Sequence, residues 1–221
     1  MEILERYQDM LRPDWQVFVL LALLIILTLV RIFGRERLVL ITSSVLKPRI
    51  SRQEVREMSE VLDIGYLGLW SIVVFTFGLF IFQELILQGL HPFNFGPFLN
   101  YLTICALIAG YFIARFLFIK TSMFFVGEDL GGSEYFYNTF VLFSIAGAAL
   151  FPLIVFRAYV QWFPFIITLI GLAIFGVAII YQWARGWIIA RGHHAKPIYI
   201  IMYFCVLEIL PYAIMARFLI D

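Results

Sequence analysis

Apolar side chains along this chain come in runs about as long as a bilayer is thick, and polar residues gather between the runs. Six stretches qualify: about 15–33, 62–87, 98–119, 135–156, 163–183 and 198–220. A helix rises about 1.5 Å per residue, so about 20 apolar residues cross a hydrocarbon core about 30 Å thick. Within a run such as "VFVLLALLIILTLV" nothing alternates. A membrane β-barrel would need alternating segments of about 10 residues. The pattern predicts an all-α polytopic membrane protein, a bundle of six transmembrane helices forming one integral domain over 1–221.

The punctuation fits that division. Pro97, Pro164 and Pro197 fall at or beside the start of a run, where a helix has no use for the missing N–H. Pro152 and Pro211 fall inside the fourth and sixth runs instead. The leading "MEILERYQDMLRPD" mixes acids and bases, and no small-residue cleavage site follows the first run. That run is therefore expected to stay as a helix rather than leave as a signal peptide.

The longest polar interval, about 34–61, holds "ERLVLITSSVLKPRI" and then "SRQEVREMSEVL". The first piece is suited to lying in the headgroup region. Ser51 with Glu54 three residues later is a capping-box pattern that predicts a short cytoplasmic helix. Arg35, Arg37, Lys47, Arg49, Arg52 and Arg56 make this segment a candidate surface for anionic lipid or for docking a cytoplasmic protein. "VGEDLGGSE", 126–134, is acidic and Gly-rich but lacks a phosphate-loop ending, and reads as a connection.

Charge placement orients the bundle. Of the sixteen Lys and Arg, twelve fall on the side of the 34–61 segment and four on the other. The basic side should be cytoplasmic, which puts both termini outside, in the periplasm of a bacterium. Composition agrees with the membrane reading: 63% apolar, 14% charged and a mean hydropathy of +0.95. A soluble domain has about 45–50% apolar and about 25% charged residues. Cys105 and Cys205 lie in apolar runs and read as buried thiols. His193 and His194 are neighbours without further ligands, so no metal is expected there.

The polar residues inside the runs carry the candidate chemistry. Ala106, Gly110 and Ala114, and likewise Ser144 and Ala148, have four-residue spacing. That spacing lets helices approach closely, within the bundle or, alternatively, at a dimer face. Arg115, Arg157 and Arg217 lie near run ends, from which they are expected to snorkel. Glu84 is a candidate interfacial partner for Arg157 or Arg217. Glu208 is about eleven residues into its run, near the midplane, where charge is costly. Pro211 leaves the Leu207 carbonyl without a helical donor, so acid and free carbonyl share one depth. Glu208 is expected to face the bundle interior in its neutral form. Tyr203, Tyr212 and Tyr111 are its candidate neighbours, completing a candidate intramembrane polar site with Pro211. Such a site either locks a bent helix or handles a proton, ion or lipid headgroup.

The length, the six-run layout, the basic segment after the first run and the C-terminal "YFCVLEILPYAI", 203–214, together resemble a Bacteroidota membrane-protein family known as domain of unknown function 4271. The resemblance implies an inner-membrane location. It brings no catalytic residues with it.

Two functions are expected in competition. The first is a non-enzymatic scaffold or accessory subunit of a cell-envelope complex, suggested by short loops and a basic cytoplasmic segment. The second is a small transporter or proton-coupled carrier using Glu208 beside the Pro211 kink. An enzyme acting on lipid is the weakest reading, because no hydrolase motif is present. The expected partners are the bilayer and a membrane or cytoplasmic protein. No cofactor and no nucleic acid are expected.

Overall fold

A computed structural model describes residues 14–33, 64–89, 96–126, 132–159 and 164–192. They form five α-helices: α1 Asp14–Phe33, α2 Ile64–Leu87, α3 Pro97–Val126, α4 Gly132–Tyr159 and α5 Pro164–Gly192. Among the described residues there is no strand, and all five helices are long and apolar enough to cross a membrane. The sixth run at 198–220 and the basic segment at 34–61 lie outside the described residues.

Pro97 and Pro164 open α3 and α5, as their position in the sequence predicts. The far ends differ from expectation. α3 continues to Val126 rather than stopping near 119, and α5 continues to Gly192 rather than near 183. A helix need not end where its apolar run ends. The added turns carry Lys120 and Thr121 in α3 and Arg185 and Arg191 in α5, residues that suit a helix leaving the hydrocarbon. α2 stops at a local device: Gly89 adopts φ 68° and its N–H donates to the Ile86 carbonyl at 2.9 Å. A left-handed residue after a helix suits glycine, which has no Cβ to clash.

α2 and α4 form the centre. The apolar windows of these two helices are 61% and 50% buried, against 22–28% for the other three. α2 packs on α1, α3 and α4, and α4 packs on α5 as well. Successive helices run antiparallel. One end of the bundle gathers the starts of α1 and α3 and the end of α2, where the Trp15 ring lies 5.4 Å from Phe82, 5.4 Å from Phe98 and 5.1 Å from Tyr101. At the opposite end Val30, Leu69 and Tyr137 share one cluster and Ile119, Tyr135 and Ile189 another. α1, α3 and α5 turn large apolar side chains outward, including Phe18, Leu107 and Phe165. Lipid tails solvate such faces, whereas water would drive them together.

Small residues permit the close approaches, though not the ones their spacing suggests. A Cβ on Gly78 of α2 would run into Cys105 Sγ of α3, and one on Gly171 of α5 would run into the Phe80 ring of α2. A Cβ on Gly147 of α4 would stand 3.6 Å from the Val73 Cα of α2. Ala106, Gly110 and Ala114 instead lie on the exposed face of α3, and among the described residues nothing stands within 4 Å of a Cβ on Gly110. The expectation that this stripe packs within the bundle is therefore corrected as far as the described helices go. The bulky residues Tyr101, Ile104, Cys105 and Phe112 occupy the buried face of α3 and turn the stripe outward. Ala148 is exposed too, while Ser144 is buried and donates to the Phe140 carbonyl one turn earlier at 2.8 Å.

Candidate functional site

Polar groups in the helices collect in two layers, one towards each end of the bundle. The first is built where α2 and α4 end and α1 begins. Arg157 of α4 donates from Nη1 to Glu84 Oε1 of α2 at 2.6 Å, and its guanidinium carbon lies 5.9 Å from the centre of the Phe80 ring. The side chain of Arg157 is 2% exposed and that of Glu84 is 16% exposed. Gln83, beside Glu84, is fully buried, and so is Gln16, beside Trp15. In hydrocarbon an unpaired guanidinium is costly, and the carboxylate supplies both opposite charge and an acceptor.

The second layer joins α3, α4 and α5 near the end where α4 starts. Arg115 of α3 donates from Nη2 to the Tyr135 hydroxyl of α4 at 2.9 Å and from Nη1 to the Tyr111 hydroxyl at 3.2 Å. Gln182 of α5 donates from Nε2 to the same Tyr135 hydroxyl at 3.0 Å. The Arg115 guanidinium also stands 5.3 Å from the centre of the Tyr135 ring. Glu134, Asn138 and Arg185 are buried around this network. One phenol thus accepts from two helices, and an Arg beneath it holds a second phenol on its own helix.

These positions correct three expectations. Arg115 and Arg157 do not snorkel: they are 2% and 4% exposed. Snorkelling serves an arginine whose helix face meets lipid, and both lie on faces turned towards other helices. Arg185, expected in the last loop, is inside α5 and buried. The layer around Arg115 was not anticipated from the sequence as a site. Its traces were there, in the four-residue spacing of Tyr111 and Arg115 and the three-residue spacing of Gln182 and Arg185. Only the fold shows that Tyr135 stands between them.

Of the residues singled out beforehand, Glu84 and Arg157 meet directly. Tyr111 lies in the second layer against Arg115. Glu208, Pro211, Tyr203, Tyr212 and Arg217 lie outside the described residues, as do Arg35, Arg37, Lys47, Arg49, Arg52 and Arg56. Among the described residues no three His, Cys, Asp or Glu side chains come together as metal ligands. Chemically, both layers offer fixed donors and a fixed cation, and the second adds two phenols, a set suited to holding helices in register or to holding an oxygen-rich group.

No curated protein and no solved structure matches this chain. The family described as Domain of unknown function (DUF4271) matches residues 17–219, nearly the full length of the chain and all of the described helices except the first three residues of α1. The chain belongs to that family.

Proposed function

We propose that this protein is a non-enzymatic scaffold or accessory subunit of a cell-envelope complex, held in the bacterial inner membrane with both termini in the periplasm. The observation that carries the reading is the use made of the buried polar groups. Glu84 and Arg157 tie α2 to α4, and Arg115, Tyr135 and Gln182 tie α3, α4 and α5. Polar ties between membrane helices favour one rigid arrangement over sliding alternatives. A rigid bundle with broad apolar outer faces suits a part that other membrane proteins hold on to. The basic segment at 34–61 would be its cytoplasmic contact, and the excess of Lys and Arg on that side supports this orientation.

The second reading is a proton-coupled carrier centred on Glu208. The burial of Arg115 between two phenols favours it, because fixed charges and hydroxyls at membrane depth also line proton paths. Flux measurements in proteoliposomes separate the two. The scaffold reading predicts proton, ion and lipid movement equal to that of empty liposomes, for wild type and Glu208→Gln alike. Flux in the wild type that Glu208→Gln abolishes would establish the carrier instead.

A further inference from the structure

The layer at the end of α2 and α4 contains more hydrogen-bonding capacity than it uses. Arg157 binds Glu84 through Nη1 alone. Its Nε and Nη2 are buried and have no partner among the described residues. Those two nitrogens form one edge of the guanidinium, with N–H bonds pointing the same way, and that edge matches two oxygens of an oxyanion. Gln83 and Gln16 are 0% and 2% exposed, and both polar atoms of each carboxamide are without a partner among the described residues. The Trp15 indole N–H is in the same condition.

Chain order places these groups in one layer. Gln83 stands between Phe82, which touches Trp15 of α1, and Glu84, which binds Arg157 of α4. Gln16 follows Trp15 directly. Leaving buried donors unpaired is expensive, so their concentration at one depth calls for something that accepts from them. The depth is informative: Arg157 is two residues from the end of α4 and Gln16 two from the start of α1. Helix ends of this kind lie where hydrocarbon gives way to headgroups. The part-exposed Glu84 marks the side from which a headgroup can enter.

We infer that this layer binds a phosphate group, the Nε–Nη2 edge of Arg157 gripping two of its oxygens and the carboxamides of Gln16 and Gln83 donating to the others. Glu84 already balances the charge of Arg157, so directional N–H bonds rather than net attraction hold the ligand. A second negative charge on the ligand would be repelled by Glu84. The singly charged phosphodiester of a lipid headgroup therefore fits better than free phosphate.

The test measures the melting temperature of delipidated protein in a neutral detergent. The probes are phosphatidylglycerol in mixed micelles, inorganic phosphate, and diacylglycerol, which lacks the phosphate. Phosphatidylglycerol at about a hundred times its Kd should raise the wild-type Tm by about 5–10 °C, with no rise from diacylglycerol. An equal rise with inorganic phosphate would assign the site to free phosphate rather than lipid, with the same phosphate chemistry. Arg157→Lys keeps the charge but loses the fork, and should abolish the rise. Because that variant also disturbs the ion pair, Gln83→Leu serves as the second arm. It replaces an unpartnered amide with an apolar group, should fold at least as stably, and should reduce phosphatidylglycerol affinity about tenfold. An unresponsive wild type, a response shared by diacylglycerol, or an unchanged response in Gln83→Leu would each overturn the assignment.

Discussion

At the scale of single residues, the ties between helices make the sharpest predictions. Glu84→Ala leaves Arg157 buried without its carboxylate. Breaking one partner of a buried pair typically costs about 3–5 kcal/mol. In membranes the loss is softened, because an unfolded chain also finds partners there. A drop of about 2–4 kcal/mol in unfolding free energy, read by denaturant titration in detergent, is the expected result. Tyr135→Phe removes an acceptor shared by Arg115 and Gln182. It should cost about 1–3 kcal/mol. Tyr111→Phe should cost less, since the 3.2 Å bond it removes is the longer of the two that Arg115 makes to phenols. Glu84 and Arg157 could be suggested as partners from sequence because both lie near the same end of antiparallel runs. Arg115 could not be placed that way. Its nearness to a run end suggested a lipid-facing side chain, and burial depends on which face of α3 the neighbours occupy.

Whole helices were legible because bilayer crossing needs length and apolarity, and both are printed in the sequence. Faces were not. The helices α2 to α5 are apolar nearly all round, so periodicity carries little information about which of their sides meets protein. The Ala106, Gly110 and Ala114 stripe illustrates the gap: its spacing is right for packing and its face is exposed. The contrast can be measured. Gly147→Leu should weaken the seam between α2 and α4 by about 1–3 kcal/mol, because added volume in a packed core forces the helices apart. Gly78→Leu should do at least as much damage to the seam between α2 and α3. Gly110→Leu, with nothing near it among the described residues, should leave the monomer within about 0.5 kcal/mol of wild type. A set of melting curves for the three variants checks the ranking.

For the molecule as a whole, run length and apolarity mark membrane-crossing helices, whereas charge bias alone bears on sidedness. α1, α3 and α5 start at the end that holds Glu84 and Arg157, so α1 ends and α2 starts at the opposite end. A single cysteine at position 55, in a variant lacking both native cysteines, should react only with reagents that reach the cytoplasm. Labelling from the periplasmic side would invert the orientation. The central claim, a scaffold that other envelope components hold, is tested most directly by native mass measurement of the protein purified in mild detergent at its natural expression level. The account predicts a complex of fixed stoichiometry heavier than one copy of the chain and bound lipid. Replacing Arg49, Arg52 and Arg56 with serine should release the partner while the bundle stays folded. A chain that appears alone, in wild type and variant alike, would contradict it.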